Sequence, residues 1–213
     1  MLRFSFLGFP VIIHWTFWLT LALLGGLIGA DTPEEMQRVL VWVIAGVLSI
    51  FVHELGHALT MHHYGARQVH MVFHSFGGYA ASERRFGRSE SFFVSAAGPF
   101  VQIAAGVAMW WVMDAWQTPS LMASYFMRSF VNVSLFWAVL NLFPIVPLDG
   151  GHILAAVLGP QRMKITLTIS LVCAVGFGIL AALRGQIFIA IFFGMFAYNN
   201  WKQLQGERPS MMP

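Results

Sequence analysis

The run from Val39 to Met61 is apolar and long enough to cross a bilayer, yet its last third carries His53-Glu54-Leu55-Gly56-His57. A crossing helix needs about 20 mostly apolar residues. An ionised group at the bilayer centre costs about 2.5–3.5 kcal/mol on insertion scales, so such residues persist there when they have a partner or a task. On a helix, the spacing HExxH puts His53 and His57 on one face, four residues apart. Two imidazoles so placed can bind Zn²⁺ while Glu54 acts as general base. A buried Glu–His network without a metal is the alternative that the motif alone leaves open.

The rest of the chain agrees with a membrane setting. Of its 213 residues, 58% are hydrophobic and 10% charged, with a mean hydropathy of +0.70. A soluble domain carries about 25% charged residues, so there is too little polar surface here to cover a water-soluble globule. One cysteine, Cys173, excludes both a disulfide framework and a cysteine-rich metal site. The calculated pI of 9.4 goes with a net charge of only +3, which does not point to nucleic acid.

Apolar stretches predict an α-helical polytopic membrane protein with about six spans: 9–30, 39–61, 91–113, 121–147, 165–183 and 186–201. The first is expected as a retained span rather than a cleaved signal. Residues 1–201 read as one membrane core, followed by a short cytoplasmic tail, 202–213. With the N-terminus cytoplasmic, the inner positions hold Arg3, Arg67, Arg84, Arg85, Arg88, Arg162, Lys164, Lys202 and Arg208, against Arg38, Arg128 and Arg184 outside. That bias satisfies the positive-inside rule and puts HExxH near the cytoplasmic side. Within 67–82, Val69, Met71 and Phe73 alternate with Gln68, His70, Val72 and His74, and Gly77-Gly78 follows. This pattern predicts a small membrane-associated β-hairpin or sheet after the second span. An open strand edge there offers a place for an extended peptide to add as a further strand.

A second constellation closes the fourth span: Asn141-Leu142-Phe143-Pro144-Ile145-Val146-Pro147-Leu148-Asp149-Gly150-Gly151-His152. Two prolines end the helix, and Asp149 is expected in a glycine-flanked turn. A carboxylate there can complete a catalytic zinc site of three protein ligands and leave a fourth position open. HELGH in the second span with NLFPIVPLDGG about ninety residues later resembles the site-2 protease family of intramembrane zinc metalloproteases. Ser95-Ala96-Ala97-Gly98-Pro99 and the opening Leu7-Gly8-Phe9-Pro10 are similar to lesser features of that family.

The resemblance implies His53, His57 and Asp149 as zinc ligands and Glu54 as the general base. It places Asn141 close to the site, where its amide would bind the substrate backbone or the developing oxyanion; an interhelical hydrogen bond is the alternative role. Many members of that family carry a PDZ or CBS domain; here the tail after Trp201 is a dozen residues and no loop is long enough for a folded insertion, so a minimal core is expected. The scarcity of cysteines with no targeting peptide suits a prokaryotic inner membrane. The substrate would be a membrane-spanning protein or a signal-peptide remnant, with an oligomeric partner left open. Two other readings compete: a CaaX-processing or HtpX-like membrane zinc peptidase, and an inactive polytopic scaffold that kept the fold. His14, His70, His74 and His152 remain without assigned roles; His152 is a candidate to hydrogen-bond a metal ligand.

Overall fold

The computed structural model describes residues 1–75, 77–116 and 120–207; Arg208, counted above with the inner charges, lies outside them. The chain divides into two compact units, Met1–Arg85 with Ala97–Val139, and Phe86–Ala96 with Leu140–Pro213.

The first unit opens with a hairpin, β1 (Leu2–Phe6) and β2 (Phe9–Ile13), paired antiparallel. Leu7 and Gly8 both take positive φ, 50° and 83°. That is the two-residue turn whose twist matches paired strands. β3 (His70–His74) pairs parallel to β2 and antiparallel to β4 (Gly77–Ala81), giving the order β1-β2-β3-β4. The hairpin expected after the second span is therefore present, joined to two strands that the sequence reading missed. The expected single span over 9–30 is corrected: β2 occupies its start, and only α1 (Trp15–Leu24) is helical. Val11, Met71 and Phe73 are essentially inaccessible. The edge-to-face and stacked rings of Phe6, Phe51 and Phe73 fasten the sheet to the next helix.

That helix, α2 (Pro33–His63), has 31 residues, about 46 Å at 1.5 Å per residue. Thr32 and Glu35 form a reciprocal capping box with Pro33 at the first position, an arrangement that satisfies two orphan N–H groups. Its far end closes on Gly65 (φ +85°), with Gly65 N–H on His62 O and Ala66 N–H on Met61 O. This is the paired-bond ending that a left-handed glycine permits. Val39, Val43, Gly46, Ile50, His53 and His57 are buried along one stripe, the face that a helix turns inward.

Further on lie α3 (Arg88–Ala115), with Pro99 inside it, and α4 (Leu121–Asn141). The second unit holds α5 (Asp149–Leu158), a 3-10 turn at Pro160–Arg162, α6 (Met163–Leu183) and α7 (Ile187–Leu204). α6 and α7 form the expected hairpin around Arg184-Gly185, where Gly185 takes φ +72°. Among the described residues, three helical stretches are long and apolar enough to cross a membrane: Pro33–His63, Arg88–Ala115 and Pro160–Leu183.

Candidate metal centre

In the first unit, His53 and His57 are buried, at 3% and 7% of their full exposure, with Glu54 at 3% between them. Their Nε2 atoms stand 3.1 Å apart, and the rings meet nearly edge to face. Two bare imidazole lone pairs repel at that separation, so the pair needs either a proton or a cation between them. Neutral His is the commonest metal ligand. The donor chemistry therefore fits a divalent zinc.

Glycines make room for these side chains by close approach. A Cβ on Gly56 would lie 2.8 Å from the Ala97 carbonyl oxygen, so Gly56 lets the α3 backbone come against the HExxH helix. A Cβ on Gly98 would run into the His57 imidazole. Gly98 of the small-residue element thus forms the wall beside His57. On the sheet side, a Cβ on Gly78 would lie 2.6 Å from Glu54 Cγ and 2.8 Å from its Oε1. The backbone of β4 therefore passes directly over the Glu54 side chain.

Behind His53 runs a polar chain that the sequence reading did not find. Its Nδ1 is 2.9 Å from Gln102 Oε1 on α3. Gln102 Nε2 donates to Ser49 Oγ (2.9 Å) and to Ser49 O (3.3 Å), and Ser49 Oγ is 2.8 Å from Ser134 Oγ on α4. Gln102, Ser49 and Ser134 are completely buried. The available signals were a lone glutamine inside an apolar span and a serine one turn before His53 on the same helical face.

In the second unit, the turn expected to hold Asp149 proves tighter and partly helical. Asp149 is the first residue of α5, where the helix dipole favours a carboxylate. The Asn141–Leu148 segment folds back over it, with a cis Val146–Pro147 bond. A Cβ on Gly150 would strike the Leu142 and Phe143 carbonyls, and one on Gly151 would lie 2.6 Å from the Ile145 carbonyl carbon. Ser170 Oγ donates to Pro144 O and accepts from Val146 N–H, both at 3.2 Å. Asn200 Nδ2 donates to Val146 O at 2.6 Å and to Phe196 O at 2.8 Å. Ile145 and Leu148 are buried with Ala174, Phe193 and Phe196. The far end of α5 is held by Arg88, whose Nε and Nη2 bond the carbonyls of Ala156 and Val157.

Asn141 is the last residue of α4 and half-buried. His152 is exposed on α5. His14 lies at the N-terminus of α1, its N–H bonded to Phe73 O, and not within a continuous span. His70 and His74 flank the buried centre of β3. Burial holds the His74 imidazole below its usual pKa, and His14 nearby adds to this.

A buried HExxH pair on a helix of membrane-crossing length is an arrangement that membrane metallopeptidases use. The sequence model described as Peptidase M50B-like matches residues 32–187, and the chain belongs to that family. It is 26% identical over 161 residues to a zinc metalloprotease of Methanocaldococcus jannaschii, across 74% of this chain and 45% of the relative. It is 27% identical over 197 residues to a putative zinc metalloprotease of Synechocystis, across 86% and 51%. To stage IV sporulation protein FB of Bacillus subtilis it is 31% identical over 117 residues, across 54% and 39%. The chain thus spans about half or less of these relatives. Its fold is that of the site-2 protease from Methanocaldococcus jannaschii, with a TM-score of 0.71 at 24% identity over 95% of this chain and 94% of that one.

Proposed function

We propose that this chain is an intramembrane zinc endopeptidase that hydrolyses a peptide bond in or near a membrane-spanning segment of another protein. The observation that carries this reading is the HExxH turn itself, with two converging imidazoles and a carboxylate buried on a helix of membrane-crossing length. His53, His57 and Asp149 would together offer a donor set suited to a metal ion, two imidazoles and one carboxylate being a common catalytic-zinc combination. Zinc held there would acidify water toward a pKa of about 7 and polarise the scissile carbonyl. Glu54 takes the water's proton and later delivers it to the leaving amine. Asn141 binds the substrate backbone or the developing oxyanion.

Supporting the substrate class is β4, which ends the four-stranded order and runs over Glu54 through Gly78. An extended segment added to its edge would bring a peptide bond beside the general base. A transmembrane helix must unwind to use that edge. A signal-peptide remnant would meet the same requirement.

The expected orientation, termini cytoplasmic, follows the charge bias, and the expected setting is a prokaryotic inner membrane. α4 and α7, with 21 and 18 residues, span about 31 and 27 Å and add two crossings to the three stretches above. Residues 1–201 then form the protease core.

Purified full-length protein tests the reading. Wild type is expected to hold about one zinc per chain and to cut a reporter transmembrane substrate in proteoliposomes. Glu54→Gln is expected to keep the zinc and lose the cut. An unaltered cleavage rate in Glu54→Gln would remove Glu54 from the proposed chemistry, and zinc-loaded wild type that makes no cut would return the scaffold reading.

A further inference from the structure

Gln102 takes no part in the chemistry above, yet its surroundings determine which nitrogen of His53 carries a proton. An amide in an apolar helix bundle is costly unless its donors and acceptor are bonded, and Gln102 is completely buried. One edge of the amide faces Ser49, 3.3 Å from the main-chain oxygen and 2.9 Å from Oγ. A main-chain oxygen only accepts, so that edge must be the NH2. Flipping the amide would set two oxygens against each other.

The other edge, Oε1, therefore faces His53 Nδ1 at 2.9 Å. An amide oxygen also only accepts, so Nδ1 must carry the hydrogen. In a neutral imidazole this leaves the lone pair on Nε2, the atom 3.1 Å from His57 Nε2. Ser49 and His53 are four residues apart on α2, so one helical face supplies both the ring and the anchor for its partner. Ser134 secures that anchor from α4.

We propose that Gln102 is a positioning residue of the zinc centre, fixing His53 in the Nδ1–H tautomer so that Nε2 is presented as the ligand atom. The inference rests on the zinc reading above and adds a residue to it. The hydrogen-bond partner of a metal-bound histidine sets its tautomer and ring angle, and losing that partner lowers metal affinity about 10–100-fold.

The test combines two variants with one measurement on unmutated protein. Zinc affinity is read by chelator competition on full-length protein in detergent. Gln102→Leu keeps volume but accepts nothing, and its affinity should fall about 10–100-fold. Gln102→Glu can still accept the His53 proton but cannot donate to Ser49, and it should stay within a few-fold of wild type. Wild-type affinity in Gln102→Leu would overturn the proposal. So would equal loss in both variants, which is the signature of a residue that only braces Ser49.

Nitrogen-15 NMR of histidine-labelled wild type reads the tautomer directly, even if a variant fails to fold. A slowly exchanging proton on His53 Nδ1 is the expected result; a proton on Nε2 overturns the assignment. Wild type that binds no zinc would instead remove the metalloprotease reading, while the tautomer measured on that same protein still decides the role of Gln102.

Discussion

The two turns that carry the proposed ligands are built in opposite ways. His53 and His57 sit on a regular helix, and a spacing of four residues is enough to put them side by side. Their burial comes from long-range help, but their mutual geometry does not. Asp149 opens a short helix whose direction depends on a folded-back loop, two glycines at close approach and clamps from residues 21 and 51 positions further on, Ser170 and Asn200. One turn is determined by local periodicity and the other by packing. Mutations that spare helix periodicity should therefore leave the histidine pair intact, whereas the carboxylate should respond to changes well outside its own turn.

The largest expected effect separates chemistry from ligation inside the histidine turn. Glu54→Gln should lower the rate of cleavage about 10²–10⁴-fold, the usual contribution of a general base, with zinc content unchanged. Elemental analysis and a proteoliposome cleavage assay on the same preparation read both quantities. Loss of zinc along with activity would show that Glu54 supports ligation, and the division drawn between these roles would fail.

Asp149→Ala probes the other turn. Its zinc affinity should fall by more than the roughly 10–100-fold expected for a hydrogen-bond partner of a ligand, as measured by chelator competition, while helix content in circular dichroism stays the same. Retained zinc would move the third ligand elsewhere and reopen the competing membrane peptidase reading. His53→Ala in parallel sharpens the comparison. His53→Ala leaves the buried Gln102 Oε1 without its partner, a loss of about 1–3 kcal/mol, so it should lower thermal stability as well as zinc affinity.

A smaller effect is expected where the sheet meets the general base. Gly78→Ala places a methyl group 2.6 Å from Glu54 Cγ, so the carboxylate must swing aside. Cleavage should drop about tenfold, a part of the roughly 10²–10⁴ that a well-placed general base contributes, and zinc affinity should stay near wild type. Equal losses in both would mean that the methyl group disturbs His53 and His57 through the helix, and β4 would no longer be a determinant of Glu54 alone.

How much of this was legible in the sequence follows the same division. The HExxH helix was readable because its apolar run and four-residue histidine spacing are local signals, although it starts at Pro33, six residues before the expected span. Asp149 was picked out as a candidate ligand by its motif, but its place at the start of a helix was not foreseen. The glycines that suggested a turn are there for close approach to the Leu142–Ile145 backbone. β1 and β2 were missed because Phe9–Ile13 pairs parallel with β3. Its residues are all apolar although only Phe9, Val11 and Ile13 are buried, so in sequence the strand merges with the apolar helix after it. Gln102, Ser49 and Ser134 lie on three different helices, and no pattern along one element connects them.

The smallest and most discriminating effect concerns Asn200, whose side chain reaches from α7 to the loop before Asp149. Replacing it with leucine removes the donor to Val146 O, and a buried carbonyl left unpaired costs about 1–3 kcal/mol. The same change also removes the Asn200 Oδ1, which is buried without a hydrogen-bond partner among the described residues, so part of that loss is offset. The net should be near 1 kcal/mol, or about 2–4 °C in Tm for a chain of this size. Zinc affinity should weaken a few-fold, because Asn200 holds the loop that delivers the carboxylate. Thr32→Ala costs a similar amount, about 1 kcal/mol, by removing the cap of the histidine helix. It should leave zinc affinity untouched, since the spacing of His53 and His57 does not depend on that end. Equal responses to the two substitutions would mean that both turns depend on the whole fold, and the contrast between local and packed ligand placement would not survive.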